Sequence, residues 1–352
     1  MSLRGGFATK QSPKRAELPC NDPYIIDIFQ MQNPQQLAQL YEQFYQKNSF
    51  NYDPNGLYEP VRHIMSIQGK RIRPMLLLMA ADMFGADLNE ALNPAFAMEV
   101  FHNFTLVHDD VMDNADIRRG VPTVHKKYGL NEAILAGDVM LSYGYKYLLN
   151  VSDDKLAKAL RLFTKAAIEI FEGQQLDLDF EKRLDVTVEE YLKMIEFKTS
   201  VLLAASLQIG AVVGGAPEAD QLKLYEFGLN LGLSFQIKDD WLDTFGEGEK
   251  VGKKIGGDII QNKKTFLLIT ALNNANAEEK AQLLELFKEK DETKKVAGVM
   301  ALFKALNVSE KTEAKINELY QTSLNSLRSV NLPDEKKAPL LLLAERIHNR
   351  DY

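Results

Sequence analysis

Residues Glu99–Asp113, EVFHNFTLVHDDVMD, run without a Gly or Pro and end in two adjacent aspartates with a third three positions on. An unbroken stretch of this kind reads as helix, closed by the turn residues Arg118-Arg119-Gly120 that follow it. Helical spacing of apolar residues recurs along the chain: Leu37, Leu40, Tyr41 and Phe44, then Met75, Leu78 and Met79, then Leu202, Ala205 and Ile209. Strand-like alternation is nearly absent. Turn-forming clusters at 51–56, 69–74, 114–122, 150–154, 214–217 and 245–257 divide the remainder. The pattern predicts an all-α protein of about a dozen helices. Pro94 is expected in the first turn of the helix that carries the quoted stretch. With no fixed-period repeat, residues 23–352 read as one domain and 1–22 as a flexible arm.

A second string of the same form, Asp239-Asp240-Trp-Leu-Asp243, closes a long helical stretch that begins near Leu222. One such match is weak evidence, and the pair is the signal. On a helix, Asp109 and Asp113 lie four residues apart on one face, as do Asp239 and Asp243. Like charges at that spacing destabilise by about 0.2–0.5 kcal/mol, and negative charge at a helix C-terminus opposes the macrodipole. A cation offsets both costs. Clustered carboxylates are hard oxygen donors that suit Mg²⁺, which completes its shell with water and substrate phosphate. Against this stands the plainer possibility that acidic helix ends are merely solvated.

With 352 residues and 45% hydrophobic content, the chain is large enough for a substantial core. Lys+Arg 42 against Asp+Glu 49 leaves a net charge of -7, which supplies no general basic surface and argues against nucleic acid as a partner. Any anion must be bound locally. The single cysteine, Cys20, cannot form an internal disulfide, and no Cys/His cluster suggests zinc. Charged and polar residues interrupt each helical stretch, so no membrane span is expected, and the N-terminal arm lacks the apolar core of a signal peptide. These features fit a cytoplasmic protein.

Basic residues gather at the turns beside the acidic strings: Lys70 and Arg73, Arg118 and Arg119, Lys253 and Lys254, Lys263 and Lys264. Lys198 differs, because it interrupts the apolar run Ile195–Ala211, where an unpaired ammonium is expensive to bury. Its expected partner is an anion.

Taken in order, Gly69-Lys70-Arg71-Ile72-Arg73-Pro74, Asp109 to Gly120, Gly173-Gln174-Gln175-Leu176-Asp177, Lys198-Thr199, Gln236 to Asp243 and Gly252 to Thr265 resemble the trans-isoprenyl diphosphate synthases, the polyprenyl synthetase family of farnesyl and geranylgeranyl diphosphate synthases. The resemblance implies a single-domain bundle of helices around a deep central cavity, in a homodimer. It also implies three Mg²⁺ ions held by Asp109, Asp113 and Asp239, with Asp110, Asp240 and Asp243 supporting them directly or through water. Arg118, Lys198 and Lys253 would bind an allylic diphosphate (dimethylallyl, geranyl or farnesyl). Lys70, Arg73, His102 and Arg119 would bind isopentenyl diphosphate. Thr199 and Gln236 match positions at the reacting centre, and Gln174, Asp177, Asp258 and Lys263 match more peripheral ones. The C-terminal Arg346 and Arg350 read as surface charge and are left out of the site.

The implied reaction is ionisation, condensation and elimination. Phe101, Phe104 and Thr105 lie one to two turns before Asp109 and are expected to line the wall that stops the growing chain. Family members carry bulky residues there. Thr105 replaces one of the two aromatics that typify a farnesyl class, and Phe-Thr-Leu-Val-His resembles the archaeal geranylgeranyl type. The expected product is geranylgeranyl diphosphate (C20), with farnesyl diphosphate (C15) the alternative. A longer-chain synthase, a terpene cyclase and a noncatalytic helical partner subunit fit less well, because both acidic strings and their basic neighbours are intact.

Overall fold

Asp87 starts the helix predicted from the first string: its carboxylate accepts the Asn89 N–H, and 25 residues, Leu88–Met112, follow before Asp113 closes it. Pro94 therefore lies inside this helix and not in its first turn, a correction to the expected start. The computed structural model describes residues 32–246 and 256–350. Fifteen helices occur among them. The first seven are α1 (Gln32–Lys47), α2 (Asn55–Ser66), α3 (Ile72–Met83), α4 (Leu88–Met112), α5 (Val124–Tyr128), α6 (Leu130–Leu148) and α7 (Asp153–Glu181). Next come α8 (Val188–Val213), α9 (Glu218–Phe245), α10 (Gly257–Ile260) and α11 (Phe266–Asn274). The last are α12 (Ala277–Leu286), α13 (Glu292–Ala305), α14 (Val308–Arg328) and α15 (Asp334–His348). Lys253 and Lys254 and the predicted arm lie outside the described residues.

The only strands among the described residues, β1 (Ile117–Arg118) and β2 (Val121–Pro122), form a two-residue hairpin after the first string. Arg119 and Gly120 both have positive φ, 50° and 80°, as the turn of a tight hairpin requires. This hairpin returns Arg118 and Arg119 toward the end of α4.

Helices α3, α4 and α8 form the middle of the bundle. From Met75 to Ala81 α3 is buried on all sides, and so is every residue of Val201–Val213 in α8. A helix that is apolar all round belongs inside a core. By length and composition α8 does reach what a membrane span needs, contrary to the expectation from its charges, but 78% of the apolar window is buried within the bundle. Glycines let these helices approach closely: a Cβ on Gly210 would stand 2.2 Å from the Leu77 carbonyl oxygen of α3. The main core unites α1 to α9 with α14 and α15. Two smaller clusters lie beneath the second acidic string and among α10 to α13.

Candidate active site

In the last turn of α4 the two adjacent aspartates take different roles. Asp110 is buried and receives the Arg118 guanidinium in a fork, from Nε at 3.0 and 2.8 Å and from Nη2 at 2.7 Å. Asp109 is partly exposed, with Oδ2 3.6 Å from Arg118 Nη2 and Oδ1 3.3 Å from Lys198 Nζ. That Oδ1 is buried and accepts no hydrogen bond. Asp113 sits exposed at the helix end, held above the usual carboxylate range by the surrounding protein and then by Asp109, with Lys198 and Lys263 pulling the other way.

Lys198 and Thr199 lie on a wide, π-helical turn of α8, Glu196–Ser200, a form that the apolar pattern did not predict. Two glycines clasp it. A Cβ on Gly173 of α7 would stand 2.3 Å from the Lys198 nitrogen, and one on Gly232 of α9 would stand 2.8 Å from the Ser200 Cα. One turn beyond Gly173, Asp177 accepts the Lys198 ammonium at 2.5 Å. Burial pulls the Lys198 pKa down, but Asp109 and Asp177 more than restore it, so the group stays charged. The anion expected beside Lys198 is thus supplied by the chain itself.

The second string ends α9. Asp240 is buried, accepting the Tyr191 O–H at 2.5 Å and the Gln236 amide at 3.1 Å, while Gln236 Oε1 accepts the Thr199 hydroxyl at 3.2 Å. Burial, and next the Asp258 carboxylate, push Asp240 up to about 8. Asp243 Oδ2 accepts the Asp258 N–H at 2.9 Å. Asp258 in turn lies 3.5 Å from Lys263. Asp239, by contrast, is 40% exposed and ion-paired with Arg350. Arg350 is the site residue that sequence reasoning missed: its side chain is only 5% exposed, so it is not the surface charge expected of a C-terminal arginine. Tyr191 was missed as well, and nothing in its local sequence marks it.

These contacts separate five of the six aspartates, and the sixth, Asp243, accepts the Asp258 N–H. Asp110 and Asp240, placed with the metal set on sequence, direct their oxygens inward to protein donors. Asp109, Asp113 and Asp239 remain partly or well exposed. Among the described residues no three carboxylate, imidazole or thiolate groups already converge as an ion cage. The donors nevertheless fit a hard divalent ion: all are carboxylates, and Asp109 keeps a buried oxygen that accepts no hydrogen bond.

A cationic cluster lies two turns up α4 from Asp109. Arg73 Nε is buried without a hydrogen-bond partner, and burial pulls this guanidinium down to about 10, offset in part by Glu99. Burial, then Arg73, Arg119 and Arg118, hold His102 well below the usual imidazole range. Arg119 reaches past Gly69 to donate to the Gln68 carbonyl at 2.8 Å, a path that a Cβ on Gly69, 2.5 Å from Arg119 Nη1, would block. Arg71 is ion-paired with buried Glu99 and donates to Tyr45 and the Met65 carbonyl, each at 3.0 Å. Lys70 is half-buried beside it in sequence.

Phe101 and Phe104 pack edge to face at 5.4 Å. Phe101 is fully buried against Phe163 at 5.1 Å, and Phe104 meets His108 at 4.9 Å and Phe171 of α7 at 5.8 Å. Thr105 is half-buried, its hydroxyl donating to the His102 carbonyl at 2.8 Å.

The family model for polyprenyl synthetases matches residues 54–306, which include both acidic strings and the basic groups around them, while Tyr45 and Arg350 lie outside it. A geranylgeranyl diphosphate synthase of Sulfolobus acidocaldarius is 38% identical over 296 residues, 81% of this chain and 88% of the relative. A geranylfarnesyl diphosphate synthase of Natronomonas pharaonis is 41% identical over 236 residues, 62% of this chain and 69% of the relative. The crystal structure of a geranylgeranyl pyrophosphate synthase superposes with a TM-score of 0.87 at 40% identity, covering 92% of this chain and 100% of that one. The chain belongs to the polyprenyl synthetase family.

Proposed function

We propose that this trans-prenyltransferase condenses isopentenyl diphosphate with an allylic diphosphate and extends the product to geranylgeranyl diphosphate. The observation that carries the reading is the pairing of two complementary sites on one helix: His102, with the under-compensated Arg73 and Arg119, stands seven residues before Asp109 on α4. Seven residues are two turns, about 10 Å along one face, which leaves room for two diphosphates side by side. Asp109, Asp113 and Asp239 would hold Mg²⁺, and the bound metal would neutralise the charge that develops on the departing diphosphate.

The chain's own groups do the rest. Arg118, forked on Asp110, and Lys198, paired with Asp177 and Asp109, turn to the allylic diphosphate and stabilise it as its C–O bond breaks and the electron pair leaves with it. Arg73, Arg119 and His102 hold the second diphosphate so that its double bond faces the allylic carbocation. A C–C bond forms, and a proton then passes to the released diphosphate. Thr199 spends its hydroxyl hydrogen on Gln236, so its oxygen lone pairs are available to the cationic centre. The aromatic wall of Phe101 and Phe104 keeps water out and limits chain growth.

Product analysis with labelled isopentenyl diphosphate and dimethylallyl, geranyl or farnesyl diphosphate tests this reading. A C20 product is expected, with Asp109→Ala and Asp239→Ala both inactive. Near-wild-type turnover of either variant with Mg²⁺ would sink the assignment. Phe104→Ala is expected to lengthen the product beyond C20, and an unchanged chain-length profile would remove Phe104 from the stop. Support for a homodimer comes from the apolar residues left exposed on α6 and α7, among them Leu135 and Ile168.

A further inference from the structure

Arg350 follows the last turn of α15 and reaches the second acidic string from the far end of the chain. Its guanidinium lies 3.9 Å from the centre of the Phe235 ring, Nη2 donates to the Phe235 carbonyl at 3.0 Å, and the same nitrogen is ion-paired with Asp239. Nε is buried with no hydrogen-bond partner. Two residues earlier, His348 stacks flat on Tyr320 of α14 at 3.9 Å, which docks the C-terminal turn on the bundle. A buried guanidinium that leaves one N–H unmet is held there by its partner charge. That partner is Asp239, the exposed carboxylate of its string.

We infer that Arg350 is a positioning residue of the active site. It is an internal counter-ion that keeps the Asp239 carboxylate in place before metal arrives and competes with metal for it. Filling the site then releases the C-terminal turn. The inference rests on the proposal that Asp239 is a metal ligand. A cation and Arg350 cannot both take the same carboxylate oxygen at full strength, so the pairing weakens metal binding by the strength of the ion pair. For a pair open to solvent on the carboxylate side, that is about 2- to 5-fold in affinity.

The test is Mg²⁺ calorimetry on the full chain, with Arg350→Met, Arg350→Lys and Asp239→Asn, alongside amide hydrogen exchange of residues 345–350. Arg350→Met keeps the contact with Phe235 and is expected to bind Mg²⁺ about 2- to 5-fold more tightly, while Arg350→Lys stays near wild type. In the wild-type protein, Mg²⁺ is expected to raise exchange in the C-terminal turn, a readout that needs no variant to fold. Unchanged or weaker Mg²⁺ affinity in a folded Arg350→Met protein overturns the counter-ion role and leaves the metal reading standing. So does wild-type exchange that Mg²⁺ does not move. If wild type and Asp239→Asn show the same Mg²⁺ isotherm, the metal reading fails, and the role of Arg350 fails with it.

Discussion

Arg73 and His102 make opposite demands of one pocket: the first keeps its charge at the cost of burial, and the second is pushed toward its neutral form by burial and the neighbouring guanidiniums. A diphosphate satisfies both. Charge-assisted hydrogen bonds are worth about 1.5–3 kcal/mol each, so Arg73→Met is expected to raise KM for isopentenyl diphosphate by about 10- to 100-fold. The KM for the allylic substrate should move little. His102 gives the same pocket a pH signature. Its pKa is depressed in the free protein, and an anion beside it raises the pKa, so binding takes up a proton. The affinity for isopentenyl diphosphate should therefore gain as pH falls through the range in which the bound imidazole takes up its proton, and gain less in His102→Asn. Since the diphosphate itself also titrates, only the difference between the two proteins counts. Equal slopes would show that His102 stays neutral when the pocket is filled.

At the scale of the helix, the wide turn at Glu196–Ser200 was hidden from sequence reading. One extra residue in a turn shifts side chains without breaking the apolar run on either side, so Ile195–Ala211 reads as ordinary helix. Gly173 was visible as part of a motif, but its reason was not: the atoms that exclude a Cβ there belong to Phe197 and Lys198 on another helix. The acidic strings were legible because local spacing alone determines that they share a face. Arg350 was not, because its partner depends on how α15 docks against α9. Gly173→Ala tests the clasp. Ala gains about 0.5–1 kcal/mol in helix propensity, but an added carbon 2.3 Å from a backbone nitrogen costs about 1–3 kcal/mol or more in displaced structure. The net expectation is a lower melting temperature and a lower kcat, because Lys198 moves with its backbone. Gly56→Ala, with nothing within 4 Å of the new carbon, is the control and should keep both. Wild-type kcat in Gly173→Ala would show that the wide turn tolerates the push.

Over the whole molecule, the apolar side chains that remain in water are not scattered evenly. Leu130, Ile134 and Leu135 on α6 are 55%, 41% and 56% exposed, and Ile168 and Phe171 on α7 are 51% and 43% exposed. Single exposed apolar residues are normal, but a group on neighbouring helices marks a surface that another body covers. A second copy of the chain would cover it by two-fold symmetry, each protomer offering the same face. The consequence reaches the proposed product wall, because Phe171 also packs on Phe101 and Phe104 from the outer side. Ile168→Asp places a charge in the middle of this face, where it has no partner and must be desolvated on assembly. Sedimentation is expected to show a dimer for the wild-type chain and a monomer for Ile168→Asp at micromolar concentration. With Phe171 no longer held by the partner, the wall behind Phe104 loosens, and the variant should make a broader range of chain lengths with longer products added. A wild-type chain that sediments as a monomer would refute the assembly. A monomeric Ile168→Asp protein with an unaltered product range would instead confine the control of chain length to a single protomer.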